Sequence, residues 1–169
     1  IKHDIAIYSA HTSLDVAADG INTRLAKKIG LKNSRPLIEN GLGAIGELEE
    51  EMNYTDFIGK IRALLDCTYV RYTRPKKEQV KTIALCGGSG AEFIGEAIAQ
   101  GADVYITADC KYHEFQDAEG RIGLMDIDHW ISERHAREIF LDFIGNLGLD
   151  CRISKTDKTP ILLWQEQKN

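Results

Sequence analysis

The pattern of apolar and polar positions divides the chain into short blocks of two kinds. Short apolar runs rich in β-branched or aromatic side chains predict strands. These runs lie at residues 4–10, 67–73, 82–86, 103–108, 122–127, 151–154 and 161–164. Apolar residues that recur at three- and four-residue steps predict amphipathic helices. They lie at residues 21–29, 57–65, 93–98 and 136–147.

The alternation of strands and helices predicts an α/β class, with layered, mixed sheets flanked by helices. Residues 74–78 form a charged linker that contains a proline and no apolar side chain. We therefore predict a first lobe at residues 1–74 and a second at 75–169, packed as one compact unit. Each half has a strand, a helix and a polar strand end, which suggests an internal duplication. The acidic run 47–51 predicts a solvated turn.

Three predicted strands end in a histidine that stands close to an acid. These groups are His11 with Asp15, His113 with Asp109 and Glu114, and His129 with Glu133. In open α/β sheets, sites form beyond the carboxyl ends of the strands. An imidazole and a carboxylate one helical turn apart can hold a divalent ion, although such pairs are also common at ordinary helix starts. Mixed donors of this kind suit zinc, iron, manganese, cobalt or nickel.

A glycine segment, Gly87-Gly88-Ser89-Gly90, separates a predicted strand from a predicted helix. Backbone N–H groups in such a position can cradle an anion, so we predict that the segment lines the same cavity and binds a phosphate-bearing ligand. The alternative is a tight strand–helix turn without a ligand. The segment is neither a P-loop nor a dinucleotide fingerprint, because Phe93 stands where the latter needs glycine or alanine.

Composition narrows the classes of function. The formal net charge of −5 over 169 residues excludes general nucleic-acid binding, which needs a basic surface. Cys67, Cys86, Cys110 and Cys151 are widely spaced with no C-x-x-C pair, which predicts reduced thiols in a cytoplasmic protein. The sequence shows no apolar run of membrane-spanning length and no signal peptide.

Several of these stretches together resemble one family. The run His11-Thr12-Ser13-Leu14-Asp15 resembles the H-T-x-x-D motif of the GTP cyclohydrolase 1 type 2 homologue family, also called the NGG-interacting-factor-three-like proteins. Residues 86–90, 107–113 and 129–133 resemble its later blocks in the right order, and the likeness extends over nearly the whole chain from Asp4 onward. Only the four blocks together are specific.

The resemblance implies a two-lobed α/β fold with two divalent metal ions in a complete site. It also implies a ring-like homo-oligomer, often a hexamer, whose sites face an interior cavity. Carried over position by position, Asp15, His129 and Glu133 match metal ligands. His11 and His113 match polar residues of the same pocket, and we take them as the candidate catalytic residues.

Two departures from the family pattern affect the predicted site. The family has glycine just before the ligand histidine, whereas this chain has Asp128, an extra carboxylate that could clash, add charge or reach the metal. The family also carries a paired-histidine ligand motif upstream of H-T-x-x-D. This sequence opens at Ile1 within a strand-like run, so the resemblance implies that the N-terminal part is missing. We therefore expect at most one loosely held ion.

Three functions are compatible with these observations. The first is a metal-dependent hydrolase that acts on a nucleotide-like substrate. The second is a non-catalytic metal-binding or adaptor protein that acts through its oligomer surface. The third is an α/β domain without metal. Metal analysis distinguishes the third from the others, and turnover by metal-loaded protein distinguishes the first two.

Overall fold

A computed structural model describes residues 2–164 of the chain. Its strands and helices alternate as the sequence predicts. The strands are β1 Lys32–Arg35, β2 Ala44–Asn53, β3 Arg71–Tyr72, β4 Gln79–Ser89, β5 Val104–Ala108 and β6 Gly123–Asp126. The α-helices are α1 Thr12–Asp15, α2 Ile21–Ile29, α3 Tyr54–Leu64, α4 Ile94–Ala99, α5 Tyr112–Ala118, α6 His129–Glu133 and α7 Ala136–Gly145, and a 3-10 helix spans Ala91–Phe93.

The strands form one six-stranded mixed sheet in the order β1-β2-β4-β5-β6-β3. The central strands β4, β5 and β6 are parallel, whereas β1, β2 and β3 pair antiparallel with their neighbours. The prediction of an α/β fold with a mixed sheet flanked by helices is confirmed. Because the carboxyl ends of the parallel strands meet at one edge, the residues that follow β4, β5 and β6 are brought together there.

Side chains of the central strands alternate between two apolar layers, as the period of a strand requires. On β4, Ile83 and Leu85 belong to the core beneath α2 and α3, while Ala84 and Cys86 belong to the core beneath α4 and α5. Tyr105 on β5 is fully buried in the second layer. The sheet therefore lies between helices on both faces.

Two helix boundaries follow from local chemistry. Gly30 ends α2 in a left-handed conformation with φ of 89°, which glycine adopts without the steric cost of a side chain. Asn53 begins α3, and its side chain accepts a hydrogen bond from the Thr55 N–H at 2.9 Å.

The predicted strands at residues 4–10, 151–154 and 161–164 are wrong. These residues form no regular structure, and Ile7, Leu162 and Trp164 expose 93%, 91% and 86% of their surface. An alternating sequence becomes a strand only where a neighbour satisfies its backbone N–H and C=O groups. Among residues 2–164 no strand pairs with these segments.

Two other predictions need correction within the sheet. The run 67–73 contributes only the short edge strand β3. The acidic run 47–51 lies in β2 and is not a turn. Leu48 packs into the core, and Glu47 and Glu49 on either side of it are exposed. One buried apolar side chain between solvated acids is the pattern of a strand with one face in water.

Both halves of the chain contribute to the sheet, β1 to β3 from the first and β4 to β6 from the second. Pairing of β2 with β4 and of β3 with β6 joins the halves. The division at residues 74 and 75, and the internal duplication, stay predictions. In the described part of the chain, no helix combines the length and the apolar character that crossing a bilayer requires.

Candidate functional site

The turn between β6 and α6 is built around Asp128. This residue has a φ of 73°, and its Oδ1 accepts a hydrogen bond from the Ile131 N–H at 3.2 Å as the helix N-cap. Its Oδ2 lies 3.4 Å from the Thr159 hydroxyl, and the residue is 5% exposed. The Asp128 carboxylate therefore caps the helix. A positive φ is one that glycine adopts without strain, which fits the glycine that the resemblance implies at this position.

His129 begins α6 with a carboxylate at each ring nitrogen. Its Nδ1 lies 2.6 Å from Asp109 Oδ2, and its Nε2 lies 3.1 Å from Glu133 Oε2. All three side chains are partly exposed. The helical spacing that brings His129 and Glu133 together is the one that the sequence predicts, whereas the contact with Asp109 comes from the end of β5.

A cavity of about 740 Å³ opens beside this pair. Asp15, at the end of α1, lines it together with His11, His129 and Glu133. The structure thus brings three predicted metal ligands and one predicted catalytic histidine to one cavity. His113 is not among the lining residues, and its ring packs edge-on against Tyr112 with the centroids 5.5 Å apart.

Burial and charge shift the pKa values of two of these groups. The pKa of Asp15 is raised, first by burial and then by the negative charge of Glu133, against the opposing charges of His11 and His129. Burial alone would lower the pKa of His129, but the hydrogen bond and charge of Asp109 and those of Glu133 outweigh it, so this pKa is raised. A cation in the cavity would relieve the repulsion between Asp15 and Glu133.

The glycine segment continues β4 and anchors the elements that carry the site. The Gly87 N–H donates to Asn22 Oδ1 at 2.9 Å, and Asn22 Nδ2 donates to the Asp15 carbonyl at 3.1 Å. The Gly88 N–H donates to Ser132 Oγ at 2.8 Å, and this hydroxyl donates to the His129 carbonyl. Both the α1 end and α6 are therefore fastened to the same strand.

These bonds correct the predicted anion cradle. The N–H groups of Gly87 and Gly88 are engaged by buried protein side chains, and the Gly90 N–H donates to Thr107 Oγ1 at 3.0 Å. These three donors do not point at a ligand. Gly87 and Ser89 line the cavity as predicted, so binding of a phosphate-bearing ligand along this segment stays a prediction that rests on other contacts.

Gly88 also leaves room for the Glu133 carboxylate. A Cβ at this position would lie 2.2 Å from Glu133 Oε1 and 3.4 Å from His129 Cε1. Its φ of 67° is a further reason for glycine here. The absence of a side chain on β4 therefore allows the carboxylate of α6 to lie directly over the strand.

The donor set suits a divalent transition metal in its chemistry, with one imidazole and two carboxylates at one cavity. Within residues 2–164, however, no three His, Cys, Asp or Glu side chains are close enough together to hold an ion. His129 and Glu133 are in contact, and Asp15 faces them without completing the group. Metal binding by these three side chains is therefore a proposal.

Sequence reasoning missed the residues that support this pair. Asn22 and Ser132 are 2% and 0% exposed, and each bonds a backbone group of the glycine segment. Asp109 follows β5 directly. The sequence suggested that it pairs with His113, but in the fold its side chain contacts His129. Its location at a strand end and its place in the family-like block 107–113 were the signals for it.

Comparison with known proteins agrees with this architecture. Residues 1–160 match the family described as Duf34/NIF3 (NGG1p interacting factor 3). The chain is 33% identical over 153 residues to a protein of Nostoc sp. named GTP cyclohydrolase 1 type 2 homolog, covering 86% of this chain and 58% of that protein. A Clostridium perfringens protein of the same name is 37% identical over 140 residues, covering 79% and 53%.

Solved structures show the same fold. Staphylococcus aureus protein SA1388 aligns with a TM-score of 0.82 at 26% identity, covering 96% of this chain and 71% of that one. Reduced HcgD from Methanocaldococcus jannaschii aligns with a TM-score of 0.73 at 28% identity, covering 86% and 58%. The chain spans little more than half the length of the two curated relatives. It belongs to the Duf34/NIF3 (NGG1p interacting factor 3) family.

Proposed function

We propose that the chain binds a divalent transition metal through His129 and Glu133, with Asp15 as a third ligand. The observation that carries this proposal is the 3.1 Å approach of His129 Nε2 to Glu133 Oε2 on the wall of a cavity that Asp15 also lines. The raised pKa of Asp15, caused by burial and then by Glu133, supports it, because a pocket with two close carboxylates favours a cation.

We further propose that the metal-loaded protein hydrolyses a nucleotide-like substrate. A bound divalent ion would acidify a water molecule and polarise the scissile bond. The second cavity beside α6, of about 530 Å³, shares His129 and Glu133 with the first and is also lined by Arg134 and Arg137. Arg137 pairs with Asp157, and Arg134 donates to the Leu65 carbonyl. Each guanidinium still has further N–H donors, to which a phosphate would be attracted. His11, on the wall of the first cavity, is the candidate general base or acid.

The same proposal includes three further points. They are a complete site with two ions, assembly into a ring-like hexamer and a cytoplasmic location. The relatives named GTP cyclohydrolase 1 type 2 homolog supply its nucleotide substrate class. His113 is exposed and does not line the cavity. It stays a candidate catalytic residue only if a further chain or segment places substrate or reactive groups beside it.

One observation favours the second candidate, a metal-binding protein that acts through contacts with other chains. Ile7, Tyr8, Leu162 and Trp164 each expose more than four-fifths of their surface. Large apolar side chains exposed in this way are typical of a surface that binds another polypeptide. Tyr8 also lines the candidate cavity, so such a contact would lie beside the site.

Metal titration with a matched variant tests the proposal. Calorimetry with Zn²⁺, Co²⁺ and Mn²⁺ is expected to show binding that Glu133→Gln weakens about tenfold or more, since a neutral amide is a poor ligand. Glu50→Gln, an exposed acid on β2, is the control and leaves the affinity unchanged. Absence of binding by the unmodified chain would contradict the metal proposal.

Turnover then distinguishes the two functions. The metal-loaded protein is incubated with a panel of nucleoside mono-, di- and triphosphates, and products are followed by chromatography. Hydrolysis that Glu133→Gln abolishes and Glu50→Gln retains supports the hydrolase. Metal binding without turnover across the panel supports the non-catalytic alternative.

A further inference from the structure

Asp109 stands directly after β5 and reaches the imidazole of His129. The distance from Asp109 Oδ2 to His129 Nδ1 is 2.6 Å, whereas the distance from Glu133 Oε2 to Nε2 is 3.1 Å. Each ring nitrogen therefore faces a different carboxylate, and the contact with Asp109 is the closer one. Nothing in the spacing of the sequence indicates this contact, since the two residues are 20 positions apart.

The backbone around Asp109 is held by a buried carboxylate. The Cys110 N–H donates to Asp126 Oδ2 at 2.8 Å, and Asp126, 1% exposed, also pairs with Arg71. Asp109 itself has a φ of 57°, a left-handed conformation that costs free energy for a residue with a side chain. Its position is thus set by β6 and β3, independently of the bond that its own side chain makes.

The chemistry of the two partners determines where the imidazole carries its proton. Ionised Asp109 and Glu133 can each only accept a hydrogen bond, and a neutral imidazole has one N–H to donate. The closer acceptor is Asp109, at 2.6 Å from Nδ1 against 3.1 Å from Glu133 to Nε2, so the geometry favours Nδ1 as the donor. When a neutral imidazole has its hydrogen on Nδ1, Nε2 has a bare lone pair. In this structure that lone pair lies towards Glu133 and the cavity.

We propose that Asp109 is a positioning residue that holds neutral His129 in its Nδ1–H tautomer and so keeps the Nε2 lone pair available to a cation beside Glu133. Without Asp109, Glu133 is the carboxylate in contact with the ring, and the hydrogen moves to Nε2 to donate to it. The lone pair needed by a cation is then lost. This consequence for a cation rests on the proposed function, whereas the tautomer does not.

Nitrogen-15 NMR of the metal-free protein reads the tautomer directly. At about pH 10, well above the ordinary pKa of histidine, the ring is neutral and its two nitrogens have distinct shifts. The unmodified chain is expected to show a protonated Nδ1 and a bare Nε2. Asp109→Ala reverses the two signals, while Asp109→Asn keeps them, because its amide oxygen still accepts from Nδ1. Asp117→Ala, an exposed acid on α5, is the control and changes neither.

Calorimetric titration with Zn²⁺ measures the consequence. Asp109→Ala is expected to bind about 10- to 100-fold more weakly, the usual effect of removing a residue that orients a metal-binding histidine. Asp109→Asn loses less, and Asp117→Ala loses nothing. If Zn²⁺ fails to bind the unmodified chain while the tautomer still reverses in Asp109→Ala, the metal proposal fails and the positioning role stands.

Two outcomes would overturn the inference. An Nε2–H tautomer in the unmodified chain overturns it. This test needs no variant, so it remains decisive even if Asp109→Ala does not fold. An unchanged Nδ1–H tautomer in folded Asp109→Ala overturns it as well. Reversal in Asp109→Asn as well as in Asp109→Ala would instead support the positioning role and assign it to the negative charge of Asp109.

Discussion

At the scale of single residues, the site depends on two positions with positive φ, one without a side chain and one with a side chain that caps a helix. Gly88 has no side chain, and the Glu133 carboxylate occupies the space where its Cβ would be. Asp128 also has a positive φ, of 73°, but it carries a side chain, and that side chain caps α6. One residue makes room for the candidate ligand, and the other fixes the helix that carries it.

Gly88→Ala is therefore expected to lower the free energy of unfolding by about 1–2 kcal/mol, since alanine is strained in the left-handed region, and to displace the flexible Glu133 carboxylate from its place over the strand. Chemical denaturation measures the change, and Zn²⁺ affinity falls with it. Gly59→Ala is the control, because Gly59 lies in α3 with open space around it and alanine should stabilise the helix by about 0.5–1 kcal/mol. Equal effects at the two glycines would contradict the argument.

Asp15 gives a pH-dependent prediction. Burial, and then Glu133, raise its pKa above the ordinary 3.8, so the folded chain holds this proton to higher pH than the unfolded chain. Stability is therefore lost as pH rises from 3.8 through the raised pKa. In the presence of a chelator, Asp15→Asn should raise Tm at about pH 7 by about 2 °C and have little effect at about pH 3. A Tm gain that is the same at both pH values would refute the electrostatic cause.

At the scale of elements, strand β4 acts as the support to which the site is fastened. Asn22 ties the end of α1 to Gly87, and Ser132 ties α6 to Gly88. α1 has only four residues and no buried side chain of its own. Its position therefore depends on the bonds of Asn22 more than on packing.

Asn22→Ala leaves the buried Gly87 N–H without its side-chain acceptor, and we expect a loss of about 1–3 kcal/mol. Hydrogen exchange at residues 12–15 should quicken, and Zn²⁺ affinity should fall as Asp15 moves. Asn40→Ala removes the same type of bond, from Asn40 Oδ1 to the Leu42 N–H, but at an exposed position. It should cost much less because water replaces the lost acceptor. Similar losses for both variants would show that burial is not the cause.

At the scale of the whole molecule, the described chain brings the three proposed metal ligands to one cavity without assembling a complete ligand set. His129 and Glu133 are in contact, Asp15 faces them, and no three donors are assembled among residues 2–164. Tyr8 lines this cavity and exposes 81% of its surface, so a polypeptide packed against it, as the second proposed function requires, would lie beside these side chains.

For the 169-residue chain we expect at most one divalent ion, held loosely. Three ligands satisfy one ion with water in the open positions, but two ions need more protein donors. Calorimetry gives the stoichiometry, and a Zn²⁺ concentration about 100 times Kd should add about 2.7 kcal/mol to the free energy of unfolding. Two tightly held ions per chain would contradict the prediction and would require a donor such as His11 to join the site.

Local periodicity in the sequence determined the α/β class, helices α2 and α3, the strands of the sheet centre and the one-turn spacing of His129 and Glu133. A repeat of apolar positions encodes which face of an element is buried, so these features needed no knowledge of distant residues. The strand-like runs at 4–10 and 151–154 show the limit, because a strand also needs a neighbour.

Only the tertiary structure decided the partners of the site. Asp109 meets His129 across 20 positions, Ser132 meets Gly88 across 44, and Asn22 meets Gly87 across 65. Likewise, it engaged the glycine N–H groups within the protein, whereas the capping of α6 by Asp128 joins residues only three positions apart and is local. The long-range contacts arise where the parallel strands end at one edge of the sheet, and a hydrogen bond depends on distance in space, which sequence separation does not encode.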